Sequence, residues 1–234
     1  MTTNPKTALV ASALAGLLLG TAACASSGGT DAASGGGTLS FTRLKSTVQG
    51  LGPDPACPFG LDLAGALKAV GIERGITPGS GTGHPVRAEV VPPEQAVPLP
   101  TGTTPAPAPA TLPARPENVQ VWCSYNAGRT PVEIGVVAAP AEGIAVNLVL
   151  PYIQRAGDLT TEQVVTVSAE QPSPGQAKTS PGRGSVAIAR VGVADKGDLA
   201  LLVSQGTEAP STDTALTGEP LRALAEKLAA QLHA

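Results

Sequence analysis

The stretch Gly20-Thr21-Ala22-Ala23-Cys24, which follows the apolar run Ala8 to Leu19, decides how much of this chain is left to fold. Lys6 and the free amino terminus give the run a positive flank, and it is shorter than the roughly 20 apolar residues needed to span a bilayer. A short apolar segment ending in small residues is the pattern of an export leader, so residues 1–23 stand apart from the fold. The small residues before Cys24 read further as a lipidation site, with Cys24 as the first mature residue and the carrier of the anchor. Ala25 to Thr38 is Ser, Gly, Thr and Ala with a single Asp31. Such a segment buries too little apolar surface to offset its ordering entropy, so residues 24–38 are expected to be a flexible tether, spanning roughly 20 Å as a coil. Residues 39–234 then suit a single domain of ordinary size.

These residues resemble the signal of bacterial lipoproteins, in which the peptidase cuts before a cysteine that already carries a diacylglyceryl group. Thr21 stands where leucine is usual. The resemblance implies a palmitate-type lipid on Cys24 and a protein held at the extracytoplasmic face of the cell membrane. The alternative is ordinary secretion, with Cys24 left as an odd thiol. With Cys24 lipidated, Cys57 and Cys123 are the only pair in the folded region, and a disulfide between them is expected. Neither CxxC spacing nor a histidine cluster points to a redox or metal role instead.

Charge narrows the partners. The chain has a formal charge of -3, and without the leader 14 basic residues face 18 acidic ones. Phosphate binding depends on clustered Lys and Arg, and no basic patch is visible, so nucleic acid is disfavoured. Aromatic residues are 2% of the chain, which leaves Val, Leu, Ile and Ala to build the core.

The element pattern is mixed. Leu39, Phe41, Leu44 and Val48 form a weak apolar pattern that fits strand or short helix. Leu63, Leu67 and Val70 recur at helical spacing between a possible Asp62 cap and Gly71. Val86, Ala88 and Val90 alternate with Arg87 and Glu89, as in a half-buried strand. The clearest strand is Val119 to Tyr125, which places Val119, Val121, Cys123 and Tyr125 on one face and Trp122 on the other. Asn126-Ala127-Gly128-Arg129 makes a turn, and Pro131 to Ala138 returns as the second arm of a hairpin. Residues 144–156 suit a helix, with Pro151 in its first turn, and equally an alternating strand. Gln163 to Ala169 is read as a strand, and Val186 to Val193 and Leu199 to Val203 as a hairpin around Asp195-Lys196-Gly197-Asp198. Leu221, Leu224, Leu228 and Leu232 mark a closing helix over Pro220 to Leu232.

Between the first strand and the hairpin lies a proline-rich insert at about 92–118. Proline fixes φ and removes donors, so the insert is expected to be extended and largely unpaired. Its Thr/Pro/Ala composition in an exported chain also makes Thr101, Thr103, Thr104 and Thr111 candidates for O-glycosylation; the plain reading is an unmodified loop.

Short antiparallel strands with helices at the start, middle and end indicate an α+β domain: one antiparallel sheet, helices on a single face, one disulfide. The lipidation motif at Cys24, the Pro-Ala-Cys57 lead-in to a helix, the Trp122-Cys123-Ser124-Tyr125 strand and the final leucine helix together resemble a group of envelope lipoproteins of high-GC Gram-positive bacteria. The domain of that group resembles the extracellular sensor domain of a mycobacterial Ser/Thr kinase. The proline-rich insert departs from the pattern. The resemblance implies a sensor of a ligand or partner without specifying either.

The residues themselves offer three readings. A binding module would use Trp122, the sole tryptophan, with Tyr125 and Arg129 as an exposed surface; the competing reading covers Trp122 with the insert or a helix. A passive wall-associated lipoprotein would bind nothing saturably. An envelope hydrolase would need dispersed carboxylates, since His84 and His233 sit in a Gly-rich loop and next to the last residue. No nucleophile elbow, P-loop or paired metal-ligand spacing occurs, and Gly79-Ser80-Gly81-Thr82-Gly83 lacks the lysine a phosphate loop requires. The sequence therefore favours a lipid-anchored binding module, with no cofactor or metal called for. Its expected partners are the membrane, through the anchor, and an unidentified envelope ligand or protein.

Overall fold

The long strand pair Asn118–Ala127 and Thr130–Ala139 is the centre on which the other elements assemble. The computed structural model describes residues 39–79, 85–98, 111–112, 114–194, 196–206 and 212–232. The leader, Cys24, the tether, His84, Thr101, Thr103, Thr104 and His233 lie outside these residues, and of Thr111 only the backbone is described.

In chain order, helix α1 spans Phe41–Gln49, α2 Leu63–Ala69, strand β1 Ile76–Pro78, β2 Val86–Val91, β3 Val97–Pro98, β4 Thr111–Leu112, β5 Asn118–Ala127 and β6 Thr130–Ala139. Helices α3 (Ala145–Leu148), α4 (Leu150–Gly157) and α5 (Thr161–Ala169) follow, then β7 (Ala177–Thr179), β8 (Val186–Val191), β9 (Asp198–Ser204), a 3-10 turn at Thr214–Leu216 and α6 (Gly218–Gln231). Among the described residues, seven strands form one antiparallel sheet in the order β1-β5-β6-β9-β8-β7, with β2 pairing β5 beside β1. Cys57 and Cys123 are bridged, with Cα atoms 5.8 Å apart. The fold is thus α+β, and the expected staple is present.

Helices cover both faces of the sheet, which corrects the expectation of a single covered face. On one side α1, α2 and α6 bury Leu44, Leu63, Leu67, Leu221, Leu224 and Leu228 against Val121, Cys123, Ile134, Val136, Leu201 and Val203. On the other, α3, α4 and α5 bury Val146, Val149, Ile153 and Val167 against Trp122, Val137, Ile188, Ala200 and Leu202. Two-sided burial needs strands that are apolar throughout rather than alternating. The runs Val136-Val137-Ala138-Ala139 and Leu199 to Val203 are of that kind, and each residue in them is buried.

Local signals set the helix ends. Ser40 Oγ accepts from Arg43 N–H (3.1 Å) and starts α1, which settles the pattern of Phe41, Leu44 and Val48 as helix, with Leu39 ahead of it. Asp62 Oδ1 accepts from Gly65 N–H (2.8 Å) and starts α2, as its position suggested. Residues 144–156 resolve into two short helices, with Pro151 in the first turn of α4, where a missing N–H costs nothing. The strand expected over 163–169 is instead helix α5. Thr160 and Gln163 form a reciprocal capping box at its start, and that pairing fixes the first turn as helical. Val165 is 62% exposed. Its alternation with Val167 therefore carried no information about a buried face.

The proline-rich insert is more ordered than expected at its base. Val91 faces Asn118, Glu94 faces Arg115, Val97 faces Leu112 and Pro98 faces Thr111, with no residue added on either side. Glu94 and Arg115 exchange both backbone hydrogen bonds at 2.9 Å. The segments after β2 and before β5 are therefore still matched in register at an isolated bridge and at the short β3–β4 pair.

Candidate functional site

The even-numbered residues of β5 face the α3–α5 side, where the helices pack mainly over β6, β9 and β8 and reach β5 at Trp122 through Tyr152. A strip of polar side chains is left at the margin. Register defines it: Arg87, Trp122 and Gly135 lie in one row, Glu89 and Gln120 in the next, and Ser124, Glu133 and Ser204 in a third. Trp122 needs Gly135 beside it, because a Cβ at that position would come within 2.6 Å of the indole.

Tyr152 of α4 closes the inner side of the strip. Its ring lies 4.4 Å from that of Trp122, tilted by 47°. Its hydroxyl donates to Glu133 Oε2 and meets Ser204 Oγ, both at 2.5 Å. Burial, and then the charge of Glu133, push the Tyr152 phenol above the ordinary tyrosine range, so it remains a protonated donor across physiological pH. The Arg87 guanidinium sits 5.9 Å from the indole centroid, within cation–π reach. The indole N–H donates to Gln120 Oε1 at 3.3 Å, and Gln120 Nε2 donates to Asn118 Oδ1 at 3.0 Å.

The sequence-predicted surface does not assemble. Trp122 is 8% exposed and covered by Tyr152, Tyr125 is half-buried against the opposite core, and Arg129 is exposed in the β5–β6 turn. Alternation along β5 separates Trp122 from Tyr125, so they cannot share a platform. Acrylamide quenching of the single tryptophan is accordingly expected to be weak in the folded chain and to rise several-fold on unfolding. A folded-state value equal to the unfolded one would contradict the packing.

Arg87, Glu133, Tyr152 and Ser204 escaped the sequence reading. The hairpin register could have placed Glu133 beside Ser124, but Ser204 and Tyr152 arrive from distant segments through β9 and α4. The strip offers a guanidinium, two carboxylates, an amide, hydroxyls and ring edges. Those groups can hydrogen-bond a polar ligand or a charged peptide segment.

A second polar cluster, around Asp213, is structural. Asp213 accepts from Arg74 and from Thr130 Oγ1, and its backbone N–H donates to the buried Gln205 Oε1 at 2.7 Å. The hydrogen bond from Arg74, followed by that from Thr130, holds the Asp213 carboxyl down at about 2. The cluster ties the β5–β6 turn to the segment before α6. Among the described residues, no group of three His, Cys, Asp or Glu side chains could hold a metal ion. No family model matches the chain, and neither a curated protein nor a solved structure matches it.

Proposed function

We propose that the mature chain is a lipid-anchored module of the cell envelope that binds a polar ligand or a protein partner through the strip formed by Arg87, Ser124 and Glu133. The juxtaposition of opposite charges with hydroxyl and amide groups at the margin of the α3–α5 layer, where Arg87 is exposed and Ser124 and Glu133 are half-buried, carries this reading. The leader and Cys24, read from the sequence, support the location. The likeness to a sensor domain adds a role in detection, with the bound species as the signal.

A photo-reactive residue at Ser124, with and without Cys24→Ala, tests both parts. The anchored chain is expected to fractionate with membranes and to give one discrete crosslinked species on illumination in whole cells. Cys24→Ala is expected to release the chain from the membrane fraction. Retention of that variant would remove the anchor, and the absence of any Ser124 adduct in the anchored chain would remove the binding role.

A further inference from the structure

Strand β2 leaves a sheet edge open, and its sequence matches itself. Ser124 N–H donates to the Pro85 carbonyl at 2.8 Å. In an antiparallel ladder every second residue exchanges bonds with the neighbouring strand, so Arg87, Glu89 and Val91 are the residues turned toward β5. The N–H and C=O groups of Val86, Ala88 and Val90 therefore point outward, and among the described residues none of them has a backbone partner. Arg87 and Glu89 stand on either side of Ala88 on one face, with side chains 55% and 49% exposed and 4.0 Å apart.

We infer that this edge pairs with β2 of a second copy of the chain, antiparallel and centred on Ala88. A two-fold axis through Ala88 sets Ala88 opposite the partner's Ala88, Val86 opposite the partner's Val90, and Arg87 opposite the partner's Glu89. Each outward backbone group then meets one of opposite kind. Arg87 and the partner's Glu89 fall at non-hydrogen-bonded positions, where Cα atoms lie about 4.5 Å apart and side chains approach most closely. The axis repeats this contact, so two opposite-charge pairs form at once.

Charge complementarity is what selects the occupant. Charged side chains on an edge strand ordinarily repel passing strands. Here the order Val-Arg-Ala-Glu-Val reads as its own complement when reversed, so a second copy meets opposite charges on both sides of the axis. Pro92 and Pro93 have no N–H to donate and end the pairing at the edge of the sheet. That limit keeps the contact short and the association reversible. The inference rests on the geometry of β2 and needs no ligand; Arg87 belongs to both surfaces, whereas Ala88, Val86 and Val90 belong to this one alone.

Sedimentation equilibrium of the purified Cys24→Ala chain, which carries no lipid, is the test. The parent is expected to dimerise. Arg87→Glu alone puts like charges opposite each other at both symmetric positions, as does Glu89→Arg alone, and each is expected to weaken the dimer roughly 10- to 100-fold. An equimolar mixture of the two variants is expected to recover parental association as a heterodimer, because each copy supplies the charge the other lacks. Ala88→Pro, which removes an N–H that the monomer does not use, is expected to abolish the dimer while leaving the far-ultraviolet circular dichroism unchanged. A parent that stays monomeric up to about 1 mM, charge reversals without effect, or a mixture that fails to recover would each overturn the assignment.

Discussion

Replacing Cys57 and Cys123 together by alanine is expected to lower the unfolding free energy by about 4 kcal/mol. The bridge closes a loop of 66 residues, and in the chain-entropy treatment a loop of that length restricts the unfolded chain by about that amount. For a domain with a total stability of roughly 5–15 kcal/mol the loss is large. The location adds to it: Cys123 is buried in β5, and Cys57, Phe59 and Leu61 pack on the same core, so the bridge holds the lead-in of α2 against the sheet. Urea titration reads the effect in two ways. The midpoint falls, and the slope of free energy against urea rises, because an unbridged unfolded chain exposes more surface. A loss below about 1 kcal/mol with an unchanged slope would show that the bridge constrains little.

The bridge was legible from the cysteine count once Cys24 is set aside, and the β5–β6 hairpin from local pattern. Val119, Val121, Cys123 and Tyr125 alternate on one face of β5, and Val132, Ile134 and Val136 answer them on β6. The closing helix was legible for the same reason, since Leu221, Leu224 and Leu228 repeat at helical spacing and all are buried. Failure came where the decisive contact is reciprocal or distant. The Thr160–Gln163 box marks the start of α5, yet the two valines farther along suggested alternation. The second helical layer is marked on β6 only by Val137 and Ala139, which lie on the face opposite Val132, Ile134 and Val136 and are just as buried.

The candidate strip was less legible than the fold. Trp122 drew notice as the sole tryptophan, but its rarity says nothing about exposure, and Tyr152 covers it from an element whose helical state the residue pattern left open. Arg87 and Glu89 were visible only as the polar half of an alternating strand. Their significance depends on which backbone groups of β2 are already bonded, which the pairing with β5 determines.

Asp198→Ala is expected to cost about 3–5 kcal/mol, the range for breaking a buried ion pair on one side. Asp198 is 2% exposed. Its Oδ1 accepts from Arg190 Nε and Nη2 at 3.1 and 2.9 Å, and its Oδ2 accepts from Ala145 N–H at 2.8 Å. The substitution thus strands a largely buried guanidinium and a buried N–H at the start of α3 together. Glu142, 3.6 Å from Arg190, is mostly exposed and compensates only in part. Asp198→Asn keeps an acceptor and loses the charge, so it is expected to fall between the parent and the alanine variant. Replacing both partners, with Arg190→Met and Asp198→Leu, removes the stranded charge and is expected to cost less than Asp198→Ala alone. Urea titration of the four chains gives the order, and hydrogen exchange at Ala145 reports whether α3 loosens before the sheet. Equal losses in Asp198→Ala and the double variant would mean that the pair itself, rather than the isolated guanidinium, sets the cost.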